Sequence, residues 1–266
     1  MTNWLGLPPL ASEHGAALDD TLGLVHLLML VLFVGWGSFF AFVLFRFRKG
    51  RSPAADYKGV TGHTNTWLEI GVAVAETLLL VGLSIPLWAD RVERFPSPQE
   101  STVVRVVAEQ FAWNVHYPGP DGVFGRTDIS LIDLQSNPLG LDREDPAAKD
   151  DVTTLNQLHL PVDTPALIQL TSKDVIHSFA LQEMRIKQDA IPGMSIPVWF
   201  VPKVTTAEMR ERTGNPEFGY EITCAQLCGL GHYRMRGYLT IETAGDFQQW
   251  MDEQQAALAE TEDSFW

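Results

Sequence analysis

The hydrophobic residues of this chain are concentrated in two runs near its N-terminus. The first, Leu22–Phe45, extends for 24 residues without a formally charged side chain. At a rise of about 1.5 Å per residue, a helix of that length covers about 36 Å and can cross a bilayer. The second run, Ile70–Ala89, carries Glu76 inside it, follows directly on Glu69, and contains Pro86 near its end. The pattern predicts two transmembrane helices.

A cleaved signal peptide is the alternative explanation for the first run. Such a peptide needs a basic start, a shorter apolar core and a cleavage site of small residues. Residues 1–20 contain no Lys or Arg and include Glu13, Asp19 and Asp20. A retained membrane anchor is therefore favoured.

The loop between the two runs, at about residues 46–64, is basic. Because short basic loops mark the cytoplasmic side of a membrane, we expect this loop in the cytoplasm and both termini on the other side. Against a single acid, Asp56, the loop holds five basic residues, which are Arg46, Arg48, Lys49, Arg51 and Lys58.

Two glutamates belong to the second run or lie at its start. Ionisable groups at membrane depth are costly and usually face a protein interior or a water path, which makes Glu69 and Glu76 candidates for a functional role. A carboxylate at the membrane interface is an equally good explanation for Glu69.

From Ser101 onward the helical period ends and short β-rich runs follow, separated by clusters of Pro, Gly and Asp. This pattern is typical of an antiparallel sandwich or barrel, and we expect a Greek-key β-sandwich. Residues 142–151 include five Asp or Glu and predict a solvated surface loop. Near the C-terminus, Phe247, Trp250 and Met251 have helical spacing and predict a short helix that docks on the sandwich.

The chain is accordingly divided into an exported N-terminal segment (1–21), a transmembrane helical hairpin (22–90) and an exported domain (91–266). Over the whole chain, 45% hydrophobic and 20% charged residues agree with a membrane anchor. Residues 91–266 hold 14 Lys and Arg against 26 Asp and Glu, a net charge of −12. An acidic domain repels nucleic acid and attracts basic proteins, although solubility alone explains the charge equally well.

The stretch CAQLCGLGHYRM, from Cys224 to Met235, contains both cysteines of the chain. A disulfide is the usual state of two exported cysteines, but one that closes so short a loop stabilises little. Together with His232 and Met235, the two thiols form a soft ligand set that suits copper. A mononuclear blue-copper site uses one cysteine, so two cysteines suit two coppers bridged by thiolates.

Two coppers need a second imidazole. The candidates are His116, His159 and His177, and we favour His177 because it lies beside polar residues in SKDVIHSF, 47 residues before Cys224. The other two are expected to be surface or core histidines.

With these motifs, and with DVIHSF followed by KQDAIPG, the chain resembles subunit II of haem-copper cytochrome c oxidases over nearly its whole length. The resemblance implies a two-helix membrane hairpin followed by a cupredoxin-like domain with a binuclear copper A centre. In this implied ligand set, Cys224 and Cys228 would be the bridging thiolates, and His177 and His232 would be the terminal imidazoles, one on each copper. Met235 would supply a weak thioether, and Gln226 would supply a weak backbone carbonyl.

Further site residues follow from the same resemblance. Where the family has Glu, this chain has Gln226, which puts in doubt the magnesium ion bound at the boundary with the catalytic subunit. In the aromatic electron-entry segment of the family, Phe111 occupies the position that is commonly tryptophan, and Trp113 matches the second aromatic residue of that segment. Three acids also match family positions: Asp174 for docking a basic cytochrome c, Asp189 at the subunit boundary, and Glu69 at a proton-channel entrance.

The implied function is that of an electron-transfer subunit without a bond-making active site of its own. It would take single electrons from a separate c-type cytochrome and pass them to haem in catalytic subunit I, where oxygen is reduced to water and protons are translocated. Its partners would be that subunit, other oxidase subunits, the cytochrome and membrane lipid, with no nucleic acid. The chain would cross the inner (cytoplasmic) membrane, with its C-terminal domain on the periplasmic or outer side.

Three alternatives are open. Subunit II of a quinol oxidase shares the anchor and sandwich but lacks the copper ligands, all six of which are present here. The copper A subunit of a membrane nitric oxide reductase would differ only in its partner. A membrane-tethered copper delivery or storage protein is the third, although such proteins favour exposed sites with few ligands.

Overall fold

The computed structural model describes residues 6–51, 54, 57–59 and 61–263. The remaining parts of the predicted N-terminal segment (1–5) and of the predicted cytoplasmic loop (52, 53, 55, 56 and 60) lie outside the described residues. Contacts divide the chain into two compact units. One contains Ala16–Arg94, and the other contains Pro8–Gly15 together with the chain from Phe95 onward.

The membrane-anchor unit consists of long apolar helices, as predicted. Helix α1 covers Gly15–Arg46, and a second helical stretch covers Thr64–Glu93; both are long and apolar enough to cross a membrane. The second stretch is made of α2 (Thr64–Leu79), a π-helical turn (Leu80–Ser84) and α3 (Ile85–Glu93). Pro86 has no N–H to donate to the preceding turn, and a locally widened helix accommodates that loss.

The second unit is a β-sandwich of two five-stranded sheets with the orders β3-β2-β1-β5-β8 and β4-β10-β9-β6-β7. Its strands are β1 Thr102–Glu109, β2 Ala112–Tyr117, β3 Val152–Leu155, β4 Gln157–Pro161, β5 Ala166–Ser172, β6 His177–Leu181, β7 Ile186–Ala190, β8 Ile196–Phe200, β9 Tyr220–Cys224 and β10 Arg236–Glu242. Two helices complete it, α4 (Thr206–Thr213) and α5 (Ala244–Asp263).

Strands β1, β9 and β10 alternate in burial, as strands with one face on the core do. Along β1, for example, Val104, Val106 and Ala108 are fully buried, while the residues between them face outward. Large side chains from both sheets meet in one core, among them Trp113 and Phe179. This confirms the predicted cupredoxin-like sandwich.

The sheets are mixed, whereas the sequence pattern is typical of an antiparallel sandwich or barrel. β1 runs parallel to β5, and β10 runs parallel to β4, whereas the other pairs are antiparallel. The parallel pairs arise because the chain crosses between the sheets before each returning strand. Strands β3 and β7 and helix α4 were not predicted, since their short polar sequences show no clear hydrophobic period.

The acidic segment 142–151 is not simply a solvated loop, which corrects a second expectation. It ends the long connection between β2 and β3 (residues 118–151, here the β2–β3 loop), whose residues Ala148 and Asp151 are fully buried. Asp151 Oδ2 lies 2.6 Å from Nε2 of His116 and accepts a 2.8 Å hydrogen bond from the backbone N–H of Gly125. His116 is thus a core histidine, as expected, and its partner comes from the acidic run.

The predicted C-terminal docking helix is present and longer than expected. In α5, Phe247, Trp250 and Met251 pack against the core, and the Trp250 ring stacks on His159 with centroids 4.0 Å apart. At the other end of the chain, Ala11 is buried in the sandwich and bonds through its backbone to Glu183. The segment Pro8–Gly15 therefore belongs to the sandwich unit.

Candidate metal centre

The residues of the CAQLCGLGHYRM motif lie on the connection between two adjacent antiparallel strands. β9 ends at Cys224, and β10 begins at Arg236, directly after Met235. His177 is the first residue of β6, which pairs with β9 in the same sheet. Strand pairing therefore brings His177 beside Cys224, although 47 residues separate them.

Five soft or nitrogen donors converge at this end of the sandwich. The two thiol sulfurs, Cys224 Sγ and Cys228 Sγ, are 3.7 Å apart. His177 Nδ1 is 3.9 Å from the first sulfur, and His232 Nδ1 is 3.6 Å from the second. The Met235 thioether sulfur is 3.7 Å from Cys228 Sγ.

A backbone carbonyl completes the set. The Gln226 carbonyl oxygen is 3.1 Å from Cys224 Sγ, while Gln226 itself is exposed. Each of the six residues in the implied ligand set thus contributes an atom to this cluster.

The cluster has the chemistry of a metal site. Ligand atoms of His177, Cys224 and Cys228 all lie within 4.8 Å of one another, and the three residues are buried. Both cysteines are free thiols, with no disulfide between them. Two sulfurs at 3.7 Å, flanked on each side by an imidazole, suit soft metal ions held by bridging thiolates.

The Cys228 thiol resists ionisation in the absence of a metal. Burial, together with the hydrogen bond and the charge of Cys224, raises the pKa of Cys228 to about 11. Thiolate ligands form when a cation replaces the proton, so metal binding at this site releases protons.

Asp174 fixes the orientation of one imidazole. Its Oδ1 lies 2.9 Å from His177 Nε2, and the two oxygens accept backbone N–H bonds from Gln110 and Val175, both at 2.7 Å. Partial burial opposes ionisation of Asp174, but these hydrogen bonds outweigh it and lower the pKa of the carboxyl. With Nε2 occupied, Nδ1 of His177 remains for the metal.

Gln110 was not predicted and ties the connection between β9 and β10 (residues 224–235, here called the metal loop) to the β1–β2 turn. Besides its backbone bond to Asp174, its side-chain Nε2 donates to the Cys228 carbonyl at 2.6 Å. The sequence carries no signal for this role, because it depends on two loops meeting at one end of the sandwich.

The two aromatic candidates occupy different positions. Phe111 is partly buried, and its ring covers the metal loop so closely that a Cβ on Gly231 would lie 2.4 Å from it. Trp113 is fully buried and packs edge-on against His177 and Phe179, at 6.3 and 5.6 Å between ring centroids. Phe111 therefore lies at the loop, and Trp113 lies behind it in the core.

The two remaining candidates are Asp189 in the sandwich unit and Glu69 in the membrane-anchor unit. Asp189 is half-buried on β7, opposite Ser178 in the β6–β7 ladder and therefore one residue along from His177. Glu69 is an exposed residue of α2 that lines a cavity of about 450 Å³ with Trp36 and Phe39 of α1. The two glutamates of the second span, Glu69 and Glu76, are seven residues apart and so share one face of α2.

Comparison with known proteins places these features in a family. Residues 102–242 match the family model described as cytochrome c oxidase subunit II, periplasmic domain. The alternative cytochrome c oxidase subunit 2 of Bradyrhizobium diazoefficiens is 32% identical over 247 residues, covering 92% of this chain and 83% of that protein. Cytochrome c oxidase subunit 2 of Cereibacter sphaeroides is 24% identical over 265 residues, covering 93% and 79%.

A solved structure is similar as well. The crystal structure of the periplasmic domain of subunit II of cytochrome oxidase from Bradyrhizobium japonicum aligns with a TM-score of 0.42 and 24% identity. The alignment covers 62% of this chain and 99% of that one.

Proposed function

The chain belongs to the cytochrome c oxidase subunit II family, and we propose that it is the subunit through which electrons enter a haem-copper terminal oxidase. The observation that carries this function is the convergence of two thiols, two imidazoles, a thioether and a carbonyl on one buried cluster. Such a ligand set suits a binuclear copper A centre.

In that centre Cys224 and Cys228 would be the bridging thiolates, with His177 and His232 as terminal ligands. Met235 and the Gln226 carbonyl would be the weak ligands (Gln226 through its backbone alone). When held by these residues, two coppers would supply a one-electron relay in which little bonding changes between oxidation states.

The role of the polypeptide in this function is to fix the positions of the metal ligands. His177 is fixed on one side by Asp174 and packed on another by the edge of Trp113. The Cys228 backbone is held by Gln110. Ligands fixed in this way reorganise little when an electron arrives or leaves, which favours rapid transfer.

We infer that electrons come from a separate c-type cytochrome and leave to haem in catalytic subunit I, where oxygen is reduced to water and protons are translocated. Phe111, at the metal loop, is the proposed first contact, with Trp113 behind it. The tip of the metal loop exposes Leu227, Leu230 and Tyr233, each at 80% or more. Apolar side chains exposed to this extent are typical of a surface that a partner subunit covers.

The membrane hairpin (22–90) would anchor the chain in the inner membrane, with the acidic domain (91–266) on the periplasmic or outer side. In the hairpin, Glu69 lines the cavity between α1 and α2, which supports a role for that residue at the entrance of a proton channel in the partner subunit. Asp189, one residue along the ladder from His177, would order polar groups at the subunit boundary. With Gln226 in place of Glu, we expect magnesium at that boundary to be weakly bound or absent.

Electron paramagnetic resonance of the purified full-length protein in detergent tests the copper centre. After copper loading we expect a purple protein with two coppers per chain and the seven-line pattern of one unpaired electron shared by two copper nuclei. A Cys228→Ser variant should bind at most one copper and show a four-line pattern. A colourless protein with a Cys224–Cys228 disulfide under copper-replete conditions would contradict the proposal.

A further inference from the structure

A groove on the outer face of the first sheet plays no part in the proposed electron path. It encloses about 540 Å³, a volume typical of small-molecule sites. Its floor consists of side chains from β1 and β5, which are Arg105, Val107, Gln169 and Thr171. The β2–β3 loop forms one wall, and the turn between β7 and β8 (residues 191–195) forms another. We call this site the Arg105 groove.

Strand pairing places Arg105 in the middle of the floor. β1 lies between β2 and β5, and Arg105 is opposite His116 on one side and Gln169 on the other. Its two neighbours along β1 are fully buried, so the alternation of the strand directs Arg105 to the outer face. The guanidinium lies 4.0 Å over the Phe124 ring, and its Nε donates to Gln169 Oε1 at 3.3 Å. These two contacts fix the guanidinium in the groove.

Arg105 has no carboxylate partner among the residues that the structure describes, and its two terminal nitrogens donate no hydrogen bond to any of them. Burial lowers the pKa of its guanidinium, and the attraction of Asp151 offsets only part of that effect. Asp151 is itself engaged, since its Oδ2 lies 2.6 Å from His116 Nε2 and accepts the Gly125 N–H. An anion bound in the groove would therefore stabilise the charged guanidinium.

The other charged residues of the groove already have partners. Lys173 Nζ forms an ion pair with Glu109 and donates to the Pro138 carbonyl at 2.7 Å. Asp128, the only acid among the described lining residues, accepts the N–H and the hydroxyl of Ser130 at 2.8 and 2.6 Å. One unpaired cation beside one acid suits a ligand with a single negative charge better than a multiply charged ligand.

The rest of the groove combines a few hydrogen-bonding groups with apolar surface. The Gln169 amide and the hydroxyls of Thr171 and Ser195 lie along it. The apolar side chains of its walls are Ile129, Ile132, Leu139 and Met194. Among these, Ile129 is 86% exposed and Met194 is 52% exposed, so a ligand would cover apolar surface that now faces water. A mainly apolar lining with a few polar groups is the usual composition of a ligand site.

We propose that the Arg105 groove binds a small carboxylate anion with an apolar body. The Arg105 guanidinium would hold the carboxylate through two parallel hydrogen bonds, the geometry in which these two planar groups match. The apolar body would lie against Ile129 and Met194. The groove contains none of the proposed copper ligands, so this inference goes beyond the proposed electron-transfer function and does not depend on it.

Binding of 3-phenylpropionate to the full-length protein in nonionic detergent tests the proposal. Ligand-observed nuclear magnetic resonance measures it, with protein-free micelles as the blank. We expect saturable binding, and we expect the neutral amide of the same shape, 3-phenylpropionamide, to bind about tenfold more weakly because it cannot form a charge-assisted pair. Phosphate, which has no apolar body, should also bind more weakly. Equal binding of acid and amide would overturn the proposal, as would tighter binding of phosphate or no saturation below about 10 mM.

Substitutions locate the bound carboxylate. Arg105→Gln should weaken 3-phenylpropionate binding about tenfold. Arg212→Gln is the control, because it makes the same change of charge at an exposed arginine of α4 outside the groove. Unchanged affinity in Arg105→Gln would overturn the proposal, as would an equal loss in both variants. The comparison of acid with amide uses the unmodified protein, so it decides the question even if Arg105→Gln does not fold.

A second pair of variants tests the apolar wall. Ile129→Ser should weaken 3-phenylpropionate binding about threefold, since part of the contact with the phenyl group is lost. Val123→Ser should leave it unchanged, because Val123 is exposed in the same loop and does not line the groove. Equal affinities of these two variants would contradict an apolar body lying against Ile129.

Discussion

Asp174 Oδ1 lies 2.9 Å from His177 Nε2, so the carboxylate and the proposed copper occupy opposite sides of one imidazole. The resemblance assigned Asp174 to docking a basic cytochrome. Its three short hydrogen bonds, and a side chain only 32% exposed, add a second role in orienting a metal ligand. The two roles make different predictions.

For an Asp174→Asn variant we expect copper affinity to fall about 10- to 100-fold, because removing a carboxylate that orients a ligating histidine typically has that effect. Copper retention against a competing chelator measures it. Asp163→Asn is the control, since Asp163 is a surface carboxylate paired with Lys203. Full copper retention combined with a raised KM for the donor would show that Asp174 acts in docking alone.

The metal loop could be predicted because its chemistry is local. Cys224, Cys228, His232 and Met235 lie within twelve residues, between two strands whose alternation is clear in the sequence. The hydrogen bond from Gln110 to Asp174 could not be predicted, because it depends on contact between the β1–β2 turn and the β5–β6 turn. Local spacing carries no information about such a contact.

The missed elements have physical reasons as well. β7, with the sequence IKQDA, is a polar edge strand, so its hydrophobic period is weak. Helix α4 did carry a signal, since Thr205 and Glu208 form a capping box that the sequence pattern T-x-x-E announces. His116 was expected to be a surface or core histidine and lies in the core, but the acidic composition of residues 142–151 concealed its partner Asp151.

The C-terminal helix should contribute measurably to the stability of the sandwich. Trp250 stacks on His159 and packs edge-on against Tyr117 at 5.4 Å. Because Trp250 is half-buried, Trp250→Ala should lower the free energy of unfolding by about 2 kcal/mol, below the range for a fully buried tryptophan. Urea denaturation measures this change. Gln249→Ala, on the exposed side of the same helix, should stay within about 0.5 kcal/mol, and equal losses for both variants would contradict specific docking.

The glycine at position 231 is required by its neighbour rather than by its backbone. Its φ is −93°, which any residue adopts, but a Cβ there would lie 2.4 Å from the Phe111 ring. Gly231→Ala should therefore displace the ring and destabilise the domain by about 1–3 kcal/mol, as overpacking does. In Gly219→Ala, by contrast, the new Cβ would have its nearest neighbour at 3.7 Å, an ordinary contact.

A double variant separates steric overlap from other effects of the added methyl group. If the ring is the obstacle, Phe111→Ala should relieve the penalty of Gly231→Ala, so that the two changes together cost less than their sum. The free energies of unfolding of the four proteins in this cycle give the coupling. Strict additivity would show that Gly231 is needed for a reason unrelated to Phe111.

The side chain of Gln226 can be changed without disturbing the proposed copper ligand at the same residue. Its carbonyl oxygen lies 3.1 Å from Cys224 Sγ, while the residue is exposed to solvent. Gln226→Glu should leave the copper resonance unchanged and supply a carboxylate, a hard oxygen ligand suited to Mg²⁺. Manganese, a paramagnetic substitute, should then bind to the assembled oxidase stoichiometrically and more tightly than to the unmodified protein. Gln226→Asn, which adds no charge, serves as the control. Equal manganese binding by all three proteins would show that the glutamine does not weaken the site.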